Sequence, residues 1–221
     1  MTRVFVLAPH PDDEVLGVGG TIARHTRDGD EVCVGILTRG NPAIFSNDFI
    51  QQGRAEAGDA HRLLGVKKTI FCDEIPAPGT DTVPLHKIAG IISKWLVSWQ
   101  AETLYVPHWG DIHTDHRLAY QAALVAARPG YNSVNRILSY ETLSETEWSS
   151  YSPEQAFLPT VYVDISDFLD LKKEAMSCFR SQLKDFPHPR SLDGIDALAR
   201  IRGSTVMVGA AEAFVLVREY F

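Results

Sequence analysis

Residues 3–20 read RVFVLAPHPDDEVLGVGG. The opening RVFVLAP is a compact apolar run rich in Val and Phe, the pattern of a buried strand. The segment EVLGVGGTIARHTRDG then reads as a helix ending at Gly29. His10, Asp12, Asp13 and Glu14 lie where the first pattern gives way to the second. Acids beside a short buried strand raise the free energy of the fold unless something compensates them. A buried strand feeding a helix is also the unit from which parallel sheets are built.

The same alternation continues outward. EVCVGILT (31–38), KKTIFC (67–72) and TLYVP (103–107) read as strands. FIQQGRAEAGDAHRLLGV (49–66), PLHKIAGIISKWLVSWQ (84–100) and DHRLAYQAALVAAR (115–128) read as helices, the last stopped by Pro129-Gly130. This order predicts βαβ units and a mostly parallel sheet. The second half is less regular. RILSYE (136–141), PTVYVDI (159–165) and AEAFVLVREYF (211–221) are expected as strands. DFLDLKKEAMSCFRSQL (167–183) is expected as a helix capped by Ser166, and IDALARI (195–201) as a shorter one.

A chain of 221 residues suits one well-buried domain, expected over 1–221. Hydrophobic residues make up 45% and charged residues 22%, a globular mixture. The net charge of −7 argues against broad nucleic-acid or anionic-membrane binding, which needs a basic face. Cys33, Cys72 and Cys178 are far apart, as expected of buried thiols in a reducing compartment. Val4–Ala8 is too short for the core of a secretory leader, and no run approaches the roughly 18 apolar residues of a membrane span. These features predict a cytoplasmic protein.

In open α/β sheets, ligands bind beyond the carboxyl ends of the strands. HPDDE follows the first strand and PHWGDIHTDH the fourth, so both clusters are expected on one sheet edge. His10 and Asp13 are three residues apart, as are His113 and His116. Imidazole with carboxylate suits zinc, and three protein ligands with an open position form the catalytic pattern. Of the adjacent Asp12 and Asp13, one can bind the ion while the other faces the open position as a base. Glu14 is read as an acid favoured by a helix N-terminus. The glycines 17, 19 and 20 fall inside the helix and not in the turn, so they are read as close-packing residues rather than a dinucleotide fingerprint. No G-x-S-x-G is present.

APHPDDEVLGVGGTIA (8–23) with DIHTDHR (111–117) resembles the LmbE-like (PIG-L-type) family of zinc-dependent N-acetylglucosaminyl deacetylases. Weaker agreement runs through RAEAGDAHRLLGV, SYE, RSQL and RGSTVMVGAAEAF. The resemblance implies a Rossmann-like three-layer α/β fold and hydrolysis of the acetamide of an N-acetylglucosamine-type amino sugar. It implies His10, Asp13 and His116 as zinc ligands, a choice of His116 over His113 that spacing alone leaves open. It implies Asp12 as general base, His113 as donor to the forming oxyanion, and Asp115 as the partner orienting His113. Iron(II) suits the same donor set. The family also implies assembly into symmetric homo-oligomers. The rival readings are hydrolysis of another amide or ester, and a non-catalytic sugar-binding relative.

Arg54 is the candidate for the family's substrate-binding arginine, although Gly53 stands where the spacing places it. Thr114 replaces a common proline. Asp111, His188 and Arg190 are further candidates for substrate contact. The segment 38–52, with Phe45 and Phe49, is expected as a lid or specificity loop, and 184–194 as a second segment over the site.

Overall fold

A computed structural model describes residues 1–150 and 152–221. The first half runs β1 (Arg3–Ala8), α1 (Asp13–Arg27), β2 (Glu31–Ile36), β3 (Arg39–Gly40), α2 (Asn47–Leu63), β4 (Lys68–Phe71) and β5 (Pro76–Ala77). A 3₁₀ turn at Thr80–Thr82 precedes α3 (Leu85–Trp99), β6 (Thr103–Pro107), α4 (Thr114–Ala126) and β7 (Arg136–Tyr140). β8 (Val161–Asp164), α5 (Leu169–Ser177), α6 (Leu192–Thr205) and β9 (Ala211–Glu219) complete the chain.

Seven strands form one sheet in the order β4-β2-β1-β6-β7-β9-β8. The first five are parallel, while β9 runs antiparallel to both β7 and β8. β1 has neighbours on both faces of its ladder, and the chain winds outward from it in opposite directions. The boundary between β1 and β6 is therefore the topological switch point, where the strand ends leave a crevice.

The alternation of side chains along each strand divides the core in two. Val4, Val6 and Ala8 pack with α1, α2, α5 and α6 on one face. Phe5 and Leu7 pack with α3 and α4 on the other. The result is the three-layer arrangement expected. α1 lies close to the sheet because Gly17 and Gly20 carry no Cβ. One at Gly20 would lie 2.8 Å from Ile165, and one at Gly17 would overlap the Tyr140 ring. Tyr140 itself is fully buried and donates its hydroxyl to the Leu7 carbonyl at 2.8 Å. No helix among the described residues is long and apolar enough to cross a membrane.

Four local expectations are corrected. Ser166 does not cap α5: its N–H and hydroxyl both turn back to Asp164 Oδ1. The helix stops at Ser177, and Phe179 then turns into the core while Ser181 bonds Glu56. The following helix is longer than expected, starting at a Ser191 cap that accepts the Gly194 N–H. The segment 38–52 is only partly loop, since β3 pairs with β5 and α2 begins at Asn47.

Candidate active site

The turn after β1 and the start of α4 after β6 meet at the switch point. Asp13 Oδ2 lies 3.3 Å from His10 Nδ1 and 3.2 Å from His116 Nε2. The same oxygen accepts the His10 backbone N–H at 2.8 Å, which fixes the carboxylate in the turn. His10, Asp13 and His116 each offer one ligand atom within 4.8 Å of the others.

Two buried atoms of this triad, His116 Nε2 and Asp13 Oδ1, lack a hydrogen-bond partner. Buried polar atoms are normally satisfied, so two orphans within one His/Asp cluster fit a cation. The outer nitrogen of each imidazole is held by a carboxylate. His10 Nε2 donates to Asp115 Oδ2 at 2.9 Å, and His116 Nδ1 donates to Asp111 Oδ2 at 2.8 Å. Such pairs fix the tautomer that leaves the inner nitrogen free to ligate. A second cluster, His10 with His113 and Asp115, is also compact. Its donor atoms are engaged, however: Asp115 Oδ2 by His10, and His113 Nδ1 by the Asp115 N–H at 3.1 Å. With its two unsatisfied ligand atoms, the first triad is the better fit to a metal.

Charge follows the same geometry. Burial alone would lower the His116 pKa, but the Asp13 charge and the Asp111 hydrogen bond push it up to about 10. His10 is likewise pulled down by burial and pushed up to about 9 by its bonds to Asp115 and Asp13. Burial works against the Asp13 charge, yet the two imidazoles hold its carboxyl well below the ordinary range. His113 differs. Burial and the neighbouring His10 and His116 charges bring it down to about 4, so the ring is neutral at pH 7. With Nδ1 accepting the Asp115 N–H, its proton resides on Nε2, a neutral donor at the cavity wall.

Asp12 stands between the candidate ligands His10 and Asp13 in the turn. Its φ of 117° lies where a side chain is disfavoured, and such strain concentrates at functional sites. Its carboxylate is buried but lines the cavity. Burial first, and then the adjacent Asp13 charge, raise its pKa well above the ordinary value. Arg190 Nη1 donates to Asp12 Oδ2 at 3.1 Å, and its Nη2 donates to Glu145 Oε1 at 2.8 Å. Arg190 Nε donates to Ser144 Oγ, so one guanidinium is fixed by three acceptors.

His10, Asp12 and His113 line a cavity of about 460 Å³, with Asp13 and His116 buried behind them. Arg190 and Arg54 line it. Arg54 is held by Asp73 and the Cys72 carbonyl and lies 5.1 Å from the Phe71 ring centroid. Phe45 and Phe49, stacked at 5.3 Å, form part of the wall. Other expected contacts are placed elsewhere. Asp111 is fully buried behind His116, with its second oxygen accepting the Thr146 hydroxyl at 2.6 Å. His188 packs edge-on against Trp148 and accepts the Arg190 N–H. Asp115 faces His10 at 2.9 Å and stands 3.9 Å from His113 Nδ1, so its side chain orients the former. Glu14 lies in the first turn of α1 as read, but it does more than decorate the helix end: it is fully buried, 2.8 Å from His61 Nε2, and accepts the Asp12 N–H. His108 is turned away, bonded to the Gln155 carbonyl.

Sequence reasoning missed Glu145. It sits in an acid-rich stretch that reads as exposed loop, and only the returning Arg190 gives it a buried partner. Arg190, in the apolar-poor stretch 184–194, is the available signal.

A profile of the GlcNAc-PI de-N-acetylase (PIG-L) family matches residues 5–127. The chain is 30% identical over 155 residues to an uncharacterized deacetylase, YaiS, of Escherichia coli, covering 68% of this chain and 78% of that one. It is 27% identical over 194 residues to a diacetylchitobiose deacetylase of Thermococcus kodakarensis, covering 83% and 71%. The fold superposes on the N,N'-diacetylchitobiose deacetylase of Pyrococcus horikoshii, solved with an inhibitor, with a TM-score of 0.76 at 25% identity over 97% and 83% of the two chains.

Proposed function

The chain belongs to the PIG-L family of GlcNAc-PI de-N-acetylases, and on that premise we propose that it is a zinc-dependent hydrolase. Its reaction is removal of the acetyl group from an N-acetylglucosamine-type amino sugar. The observation that carries this reading is the His10/Asp13/His116 triad, with two orphaned ligand atoms on its buried members Asp13 and His116, set beside a base, Asp12, that faces the cavity. The relatives' names support the substrate class.

His10, Asp13 and His116 would hold the ion. Zinc, or iron(II) on the same donors, supplies Lewis-acid polarisation of the acetyl carbonyl and lowers the pKa of the attacking water. Asp12 takes a proton from that water as its oxygen adds to the carbonyl carbon. A raised pKa brings this base nearer to neutrality, where proton transfer is most effective. His113 donates from Nε2 to the oxyanion, and a neutral imidazole does so without repelling a cation. Asp12 then returns the proton to the sugar nitrogen as the C–N bond breaks, which yields acetate and a free amine. Arg190 holds the Asp12 carboxylate in place through these transfers.

The experiment is amine release from N-acetylglucosamine derivatives with and without a chelator. Chelator-sensitive release restored by zinc is expected. Release that persists in metal-free protein would remove the ion from the reaction.

A further inference from the structure

Three arginines line the cavity, and they are not equivalent. Arg190 is paired with Asp12 and Glu145, and Arg54 with Asp73. Arg39 has no carboxylate partner among the described residues, and its buried Nε lacks any hydrogen-bond acceptor. The other cavity carboxylates are engaged elsewhere, Asp115 by His10 and Glu56 by Ser181 and Gln52.

Its backbone is firmly placed. Arg39 pairs with Pro76 in the β3–β5 ribbon, and its N–H donates to the Ile75 carbonyl at 2.8 Å. Ala77 and Pro78, from the other side of that ribbon, line the same cavity. The stacked Phe45–Phe49 pair adds a low-dielectric wall near Gly40. A guanidinium nitrogen withdrawn from water without an acceptor is unfavourable, and an anion that enters reverses that penalty. Apolar walls strengthen the attraction.

We propose that Arg39 recognises an anionic group, a carboxylate or a phosphate, on the substituent carried by the amino sugar. This rests on the deacetylase reading and deepens it: Arg39 sets which derivative is preferred.

The test uses zinc-loaded full-length protein and three substrates: methyl N-acetylglucosaminide, N-acetylglucosamine 1-phosphate, and the carboxymethyl N-acetylglucosaminide. A charge-assisted bond to a partly buried guanidinium corresponds to about 10- to 100-fold in binding. At least one anionic substrate is therefore expected to exceed the neutral one by about that factor in kcat/KM. The two anionic arms separate phosphate from carboxylate. Arg39→Gln should bring the ratio to about one, and Arg39→Lys should keep part of it. A wild-type ratio near one for both anions would overturn the proposal, as would equal losses on all substrates in Arg39→Gln. If no sugar releases amine, the hydrolase reading fails by itself. Calorimetric binding of the same three compounds to wild type and Arg39→Gln then decides Arg39: an anion preference lost in the variant supports it, and equal binding rejects it.

Discussion

His10 Nε2 donates to Asp115 Oδ2 across 2.9 Å, tying the turn after β1 to the first turn of α4. The Asp115 side chain thereby acts on the candidate ligand His10, while its backbone N–H bonds His113 Nδ1. Removing such an outer-shell carboxylate weakens metal binding by about 10- to 100-fold. Asp115→Ala should therefore lower zinc affinity by that factor, measured by competition with a chromogenic chelator. Unchanged zinc affinity with lost turnover would return Asp115 to a role at His113.

Metal loading should be coupled to protons. In the metal-free protein the raised values near 9 for His10 and 10 for His116 leave both rings doubly protonated at pH 7. Ligation requires neutral imidazole, so zinc binding at pH 7 should release about two protons, and fewer as pH rises through 9 and 10. Titration calorimetry in buffers of different ionisation enthalpy reads that number directly. The linkage to stability has the matching sign. The contribution of these two protonations to the metal-free fold is full below the ordinary 6.5 and is lost as pH rises through about 9 and 10. A binding heat independent of buffer would contradict this account.

The close approach of α1 to the sheet gives a stability prediction. Gly→Ala within a helix ordinarily gains up to about 1 kcal/mol. At Gly17 the added Cβ would overlap the fully buried Tyr140 ring, and overpacking of this kind destabilises by about 1–3 kcal/mol. Gly17→Ala should lower Tm, whereas Gly53→Ala, with open space at its Cβ, should not. A Gly17→Ala protein as stable as wild type would mean that α1 and β7 are less tightly apposed.

The sheet and its central site were legible because local patterns and topology agree. Continuous apolar runs announced β1, β2 and β6, and the rule for strand ends placed HPDDE beside PHWGDIHTDH. What escaped depends on partners distant in sequence. Glu14 is buried through His61, 47 residues away, and Glu145 through Arg190, 45 residues away. Asp111 and Asp115 share one short loop and helix start, yet each orients a different histidine. That division follows from the geometry of the α4 first turn and leaves no mark in spacing. The shortened α5 is similar: its helical pattern continues past Ser177, but burial of Phe179 and the bond from Ser181 to Glu56 end the helix.

The central claim is that ligation and proton transfer are divided between neighbouring residues, Asp13 holding the ion and Asp12 moving the proton. The direct measurement is bound zinc and amine release on the same preparations of wild type, Asp12→Asn and His116→Ala. Asp12→Asn should keep stoichiometric zinc and lose about 10²- to 10⁴-fold in kcat, the range for a removed general base. His116→Ala should lose the zinc itself. Asp12→Asn that holds zinc and turns over at the wild-type rate would contradict the account.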